Sequence, residues 1–151
     1  MSYVNLKNAR NDEQRRVMEM IQSKNICPFC EGQEQNAELE PIIQETEFWH
    51  LRKNRWPYPN TRVHLLAISR IHTETLADLS PSSFADLLTI FQKVEKDFAV
   101  SGGALALRFG EPSENGGTVR HLHVHFIVAL QGLSVPEYQT VRFKVGPSAQ
   151  K

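Results

Sequence analysis

Three histidines alternate with apolar residues in His121-Leu122-His123-Val124-His125-Phe126-Ile127. Side chains at i, i+2 and i+4 of a strand share a face, so this spacing gathers three imidazoles and sends Leu122, Val124 and Phe126 toward a core. The histidines are then expected to line a surface or a cleft rather than fill the interior. A single histidine is commonly structural, but there are few physical reasons to cluster three unless they bind a metal or act on a substrate. A second group is Cys27-Pro28-Phe29-Cys30, which holds both cysteines of the chain. That pairing argues against a secreted disulfide framework and for metal binding or redox chemistry. A thioredoxin-like motif opens a helix after a strand, whereas Glu31-Gly32 and a polar loop follow here, so zinc is better supported. Two thiolates need two further ligands, with histidine the obvious source; two free buried thiols are the alternative.

The elements that position these groups are readable from periodicity. Val17, Met18 and Ile21 recur at helical spacing and predict a short amphipathic helix ending near Lys24. Gly32 to Glu40 reads as a loop, Pro41 to Glu45 and Glu47 to Leu51 as short strands, and Arg52 to Arg62, with Pro57 and Pro59, as a segment that cannot be a central strand. Val63 to Ile68 is apolar apart from His64 and reads as a buried strand. A long helix is predicted from Pro81 to about Val100, capped by Ser80, with Phe84, Leu87, Leu88, Phe91, Val94 and Phe98 on one apolar face. Gly102 and Gly103 end it, Ala104 to Phe109 reads as a strand, Gly110 to Gly117 as a turn-rich loop, Val119 to Leu130 as a long strand and Val141 to Val145 as an edge. Strands with one long helix between them predict an α+β fold on a mainly antiparallel sheet.

Composition bounds the rest. The 151 residues and 40% hydrophobic content suit one domain over 1–151 with its core at about 27–130. Lys and Arg number 17 against 17 Asp and Glu, so the overall charge advertises neither polymeric nucleic acid nor an anionic membrane, and phosphate chemistry would need a local site. No apolar segment approaches bilayer length, and a soluble cytoplasmic protein is expected.

The triad with its aliphatic spacers resembles the signature of the histidine-triad (HIT) family, including its diadenosine tetraphosphate hydrolase-like bacterial members. Asn60-Thr61-Arg62-Val63-His64-Leu65-Leu66-Ala67-Ile68-Ser69-Arg70-Ile71-His72 is similar to the strand and turn in which that family keeps two further histidines. Gly116-Gly117-Thr118-Val119-Arg120 resembles its phosphate loop. The resemblance, over about Cys27 to Val128, implies a HIT-like fold, a homodimer and activity on nucleotides joined through phosphate to a second group. It makes His123 the nucleophile, with His125 and His64 flanking it and the proton donor left open between them. It places the α-phosphate on Thr118 and the amides of Gly116, Gly117 and Val119, a ribose contact at Asn54, and structural zinc on Cys27, Cys30, His72 and His121. Asn54 equally suits capping the proline-rich turn; Trp56 and Tyr58 suit stacking on a base or covering the sheet edge. His50 matches nothing in the family and reads as a surface or edge-strand residue. Gly117 and Arg108 depart from the family, where many members have a glutamine and an asparagine or glutamine. Arg108 or Arg120 then becomes a candidate for the missing phosphate contact, both being equally readable as solvated strand residues.

The chemistery is self-consistent in physical terms. A neutral imidazole attacks phosphorus through Nε2 when Nδ1–H is held by an acceptor, splitting one slow hydrolysis into two steps. The leading expectation is a hydrolase of dinucleoside polyphosphates or nucleoside phosphoramidates acting through nucleotidyl-His123. The rivals are a phosphorylase or transferase using phosphate or a sugar phosphate as acceptor, and a nucleotide-binding regulatory protein with little turnover.

Overall fold

Asn11 accepts from the Gln14 amide at 2.8 Å and starts helix α1 (Asp12–Lys24), which Asn25 ends in the left-handed region at φ 50°. The computed structural model describes residues 2–131 and 140–147. Strands β1 (Ile42–Glu45), β2 (Trp49–Lys53) and β3 (Thr61–Ser69) follow, then helix α2 (Pro81–Asp97), strand β4 (Ala104–Arg108), a single turn α3 (Pro112–Asn115) and strand β5 (His123–Ala129). The five strands form one antiparallel sheet in the order β1-β2-β3-β5-β4. This is the expected α+β architecture.

Helix α2 starts as its residues dictate, with Ser80 accepting from the Ser83 amide at 3.2 Å and Pro81 in its first turn. It ends three residues before the expected Val100, because Ala99 turns left-handed at φ 47° and the Val100 amide folds back to the Glu95 carbonyl at 2.9 Å. Its buried stripe is Leu87, Ile90, Phe91 and Val94, at spacings of three and four. Phe84 and Leu88, expected on that face, are 46% and 57% exposed. The sheet meets the helix along the narrower stripe, where Trp49 Nε1 also donates to the Ser83 carbonyl at 2.8 Å.

Against α2 pack Trp49 and Leu51 of β2, Val63, Leu65 and Ala67 of β3, and Val124, Phe126 and Val128 of β5. Each large side chain removed from water there contributes about 1.5–3 kcal/mol, so this layer supplies much of the fold's stability. The alternate residues of β3 and β5 point to the other face, where α1 buries Val17, Met18 and Ile21 in a second cluster. That face was expected to be a surface or a cleft, and it is a cleft. It is roofed by the N-terminal segment and α1, so His64, His123 and His125 are each 5% exposed and His121 3%.

Strand limits differ from expectation in several places: β2 extends through Arg52 and Lys53 and β3 begins at Thr61, so both ends of the segment read as unable to form a central strand do so, its prolines lying in the turn between. The long strand from Val119 is only His123–Ala129; before it, Val119 makes an isolated bridge to Val4, and the Leu122 amide donates to Thr73 at 2.7 Å. His121 therefore sits at the strand's entrance rather than within it. Residues 141–145, expected as an edge strand, form no strand and cross the histidine face instead. His50 is neither at the surface nor on an edge: β1 pairs outside β2, and the side chain is buried near Glu31 and Glu45.

Candidate functional site

His64 and His125 come from paired strands, β3 and β5, which set their rings 5.2 Å apart. The Tyr58 backbone amide donates to His64 Nδ1 at 3.0 Å, so the neutral ring carries its proton on Nε2. That Nε2–H donates to His125 Nδ1 at 2.9 Å, which places the His125 proton on Nε2 in turn. His125 Nε2 is buried with no partner among the described residues. One strand position away, His123 Nδ1–H donates to the His121 carbonyl at 2.7 Å, leaving the Nε2 lone pair without a partner among the described residues.

Burial is the main reason that these imidazoles stay neutral. It pulls His64 down to about 3 and His123 to about 4, with Arg10 adding to the first and Arg108 to the second. It holds His125 well below its usual value, with His123 and His64 contributing. A folded-state value below the unfolded one means that only the unfolded chain takes up protons as pH falls through 6.5. Stability is then fully present above pH 6.5 and is lost toward pH 4, by about 1.4 kcal/mol per pH unit for each such histidine. Urea titrations between pH 6.5 and 5 should show this slope, and His64→Gln should lessen it by about one histidine's share. Identical slopes in the two proteins would contradict the assignment.

The cavity over these rings has a volume of about 1150 Å³, and Asn54, Arg108, Gly116, Gly117, Thr118, Val119, His123 and His125 all line it. Within the loop, the Gly116 amide already donates to Pro112 at 3.1 Å and the Gly117 amide to Asn115 Oδ1 at 2.6 Å. The two amides expected to face a phosphate thus have partners within the loop in this structure. The short turn α3 consumes them, leaving the Thr118 and Val119 amides without partners among the described residues. Asn54 Oδ1 accepts from the Trp56 amide at 3.0 Å, so it caps the proline-rich turn while also lining the cavity.

Of the two arginines singled out, Arg120 is held by Glu111 at 2.5 Å and Glu74 at 3.4 Å. Arg108 is 8% exposed and has no carboxylate partner among the described residues; it donates to the Asn115 carbonyl and lies 3.4 Å from the Tyr58 hydroxyl. A Cβ at Gly117 would stand 3.2 Å from Arg108 Cδ and 2.7 Å from Asn115 Oδ1. The Arg108 side chain thus occupies the space next to residue 117, where a larger side chain would meet it.

Periodicity gave no hint of several cavity residues. Tyr58 does not cover the sheet edge: its ring lies 4.5 Å from His64 and stacks on His125 at 5.6 Å. Phe143, on the segment that crosses the site, packs 5.5 Å from His125 with the Arg108 guanidinium 3.9 Å from its ring centroid. Arg10 lies 4.4 Å from the Tyr58 centroid. Arg10 and Phe143 have no local signature, because each reaches the cavity only through chain packing.

Beside His123, ligand atoms of Cys27, Cys30, His72 and His121 lie within 4.8 Å of one another, a set that could hold a metal. Cys27 Sγ is 3.3 Å from His121 Nδ1 and Cys30 Sγ is 3.4 Å from His72 Nδ1. Tetrahedral zinc with ordinary bond lengths spaces S and N ligands about 3.5 Å apart, so the set fits that ion. The distal nitrogens support the fit: His121 Nε2–H donates to the Ser69 carbonyl at 2.7 Å and His72 Nε2 faces Glu74 at 3.3 Å, turning both Nδ1 atoms inward. Burial pushes the Cys27 thiol up to about 12, a penalty that a divalent cation would reverse.

The comparisons bear on the family and the fold. The HIT domain family model matches residues 52–132. An uncharacterised HIT-like protein of Chlamydia muridarum is 28% identical over 94 residues, 60% of this chain and 71% of that protein. The asymmetrical bis(5'-nucleosyl)-tetraphosphatase of Schizosaccharomyces pombe is 38% identical over 68 residues, but the match covers 42% of this chain and only 36% of that one. Among solved structures, a HIT family hydrolase from Clostridium thermocellum has a TM-score of 0.51 at 27% identity, over 75% of this chain and 96% of that one. A histidine triad nucleotide-binding protein from Candida albicans has a TM-score of 0.55 at 20% identity, over 76% and 86%, and shares the fold. With a match over more than half of its length and the four-histidine site in place, this chain belongs to the HIT domain family.

Proposed function

We propose that the protein is a nucleotide hydrolase that opens the α-phosphate linkage of a dinucleoside polyphosphate or nucleoside phosphoramidate through a nucleotidyl-His123 intermediate. The observation that carries this reading is the 2.7 Å contact of His123 Nδ1 with the His121 carbonyl, which leaves a neutral imidazole with its Nε2 lone pair on the cavity side. Nε2 forms a bond to the α-phosphorus as the bond to the leaving oxygen breaks. The His121 carbonyl offsets the positive charge that grows on the ring. His125 Nε2–H, its tautomer set through His64, hydrogen-bonds to the departing oxygen and stabilises its negative charge. Water then attacks the same phosphorus and gives up a proton to solvent as the N–P bond breaks, which returns His123 to its neutral form. Thr118 and the Thr118 and Val119 amides hold the non-bridging oxygens, and Asn54 holds the ribose.

Zinc on Cys27, Cys30, His72 and His121 would be structural, tying the Cys turn to the entrance of β5. A homodimer is supported by the open edge of β4, where Leu105 and Phe109 are 56% and 53% exposed. The two free cysteines are consistent with a cytoplasmic protein. No helix among the described residues is long and apolar enough to cross a membrane.

The test is hydrolysis of diadenosine tetraphosphate in oxygen-18 water, with mass spectrometry of the products. Attack at the α-phosphorus puts the label in adenosine monophosphate and leaves the triphosphate unlabelled. Label in the triphosphate would mean attack at the β-phosphorus and would reject the intermediate. Cleavage that requires inorganic phosphate and yields unlabelled diphosphate would establish the phosphorylase reading.

A further inference from the structure

The chain is electrically neutral overall, yet its cavity is not. Nine lysine or arginine side chains line it against one carboxylate, Glu40. Several arginines, Arg52 and Arg55 of the cavity among them, are neutralised: Arg16, Arg52, Arg55, Arg70 and Arg120 each lie within 3.5 Å of a carboxylate oxygen. Arg10 and Arg108 do not, among the described residues. They converge on opposite parts of Tyr58, with Arg10 Cζ 4.4 Å above the ring and Arg108 Nη2 3.4 Å from the hydroxyl. Arg10 spends one nitrogen on the Trp56 carbonyl and Arg108 one on the Asn115 carbonyl, both neutral acceptors.

Two guanidinium groups beside one phenol, without a counter-charge, repel each other; Arg108 is buried and lacks compensation for its lost hydration, while Arg10 stays exposed at the cavity mouth. Although Arg10 is exposed as a whole, burial of its guanidinium end, which packs against Tyr58, lowers its pKa, and the charge of Arg108 adds to that effect. The pair is held in place rather than loosely present. Asn8 Nδ2 donates to the carbonyls of Pro112 at 3.0 Å and Gly117 at 2.5 Å, pinning the segment before Arg10 onto the loop that precedes β5. Arg108 is fixed at the end of β4, paired opposite His123. An anion between the two would supply the missing charge, and guanidinium groups match phosphate oxygens in geometry as well as sign.

We propose that Arg10 and Arg108 form a binding site for the phosphates of the leaving group, so that the substrate class is nucleotides bridged by an oligophosphate rather than phosphoramidates. The proposal rests on the nucleotidyl-His123 reading for the position of the α-phosphate, and it adds Arg10, outside the matched residues 52–132, as a specificity residue. A departing nucleoside triphosphate carries several negative charges that the arginine pair stabilises as they develop; a departing amine carries none.

The test has two readouts on the full chain. Calorimetric titration with inorganic tripolyphosphate compares wild type with Arg10→Gln, Arg10→Lys and Arg55→Gln, the last a cavity arginine already paired with carboxylates. Kinetics then give the ratio of kcat/KM for diadenosine tetraphosphate over adenosine 5'-phosphoramidate. Arg10→Gln should lose at least about tenfold in tripolyphosphate affinity and in that ratio, Arg10→Lys should fall between, and Arg55→Gln should stay within about twofold of wild type. Circular dichroism confirms the fold, and Arg10→Lys decides the matter if the glutamine variant does not fold. Unchanged affinity and ratio in the folded Arg10 variants would overturn the proposal, as would no tripolyphosphate binding by wild type. If wild type turned over neither substrate, the hydrolase reading would fail, while the titration would still decide the arginine site.

Discussion

His123→Ala is expected to cut nucleotide turnover by at least about a thousandfold, because it closes a covalent route rather than weakening a contact. The reason lies in geometry that no other histidine shares: its Nδ1–H is engaged by the His121 carbonyl and its Nε2 is unpartnered. His125 cannot replace it, since the hydrogen-bond chain through His64 puts a proton on the nitrogen that would have to attack. The position is not solvent-facing, as the alternation suggested, but buried against Phe29, whose ring centre is 5.1 Å away. Alanine therefore leaves a void, costing about 1–3 kcal/mol of stability, and His123→Asn serves as a less disruptive companion. Both variants should still bind nucleotide in a calorimetric titration while releasing almost no adenosine monophosphate. Near-wild-type release from either would rule out His123 as the nucleophile.

Zinc removal should have the second largest effect. Metal analysis of protein purified without chelators is expected to find close to one zinc per chain, and Cys27→Ser or Cys30→Ser to lower that content sharply. Four ligands drawn from the Cys turn, the loop after β3 and the entrance of β5 join segments far apart in the chain, so losing the ion should cost about 3–5 kcal/mol, or roughly 10 °C in Tm. Activity should fall as well, by about tenfold, in line with the loss of a group that orients its neighbours. Phe29 of the Cys turn packs edge-on against both His121 and His123, so loosening the turn loosens the nucleophile. A metal-free protein equally stable after either substitution would reject the zinc site and leave the His123 chemistry standing.

The caps and stripes of the helices were legible because they are local. Asn11 and Ser80 bond to amides three residues on, and Leu87, Phe91 and Val94 share a helix face by spacing alone. The extra reach assigned to that face, Phe84 and Leu88, failed because periodicity fixes a direction but not how wide a surface the sheet will cover. The strand at Val119 to Leu130 was likewise read too long. Its first residues bend around an isolated bridge at Val119, and their amides bond to Tyr3 and Thr73 instead of a neighbouring strand, which composition cannot reveal.

Residue order alone determined that two histidines of β5 share a face opposite Val124, Phe126 and Val128, since strand alternation is a property of adjacent residues. It also supplied the C-x-x-C turn, and resemblance named the four candidate ligands. Only tertiary structure decided that the triad is roofed over, that Arg108 and not Arg120 lacks a carboxylate, and that Gly117 makes room for Arg108. The same holds for Arg10, Tyr58 and Phe143, which meet around His125 from distant parts of the chain. Local patterns report the period of one element, whereas the neutral protonation states and uncompensated charges of this site arise from burial and from pairs that exist only once the chain has closed on itself.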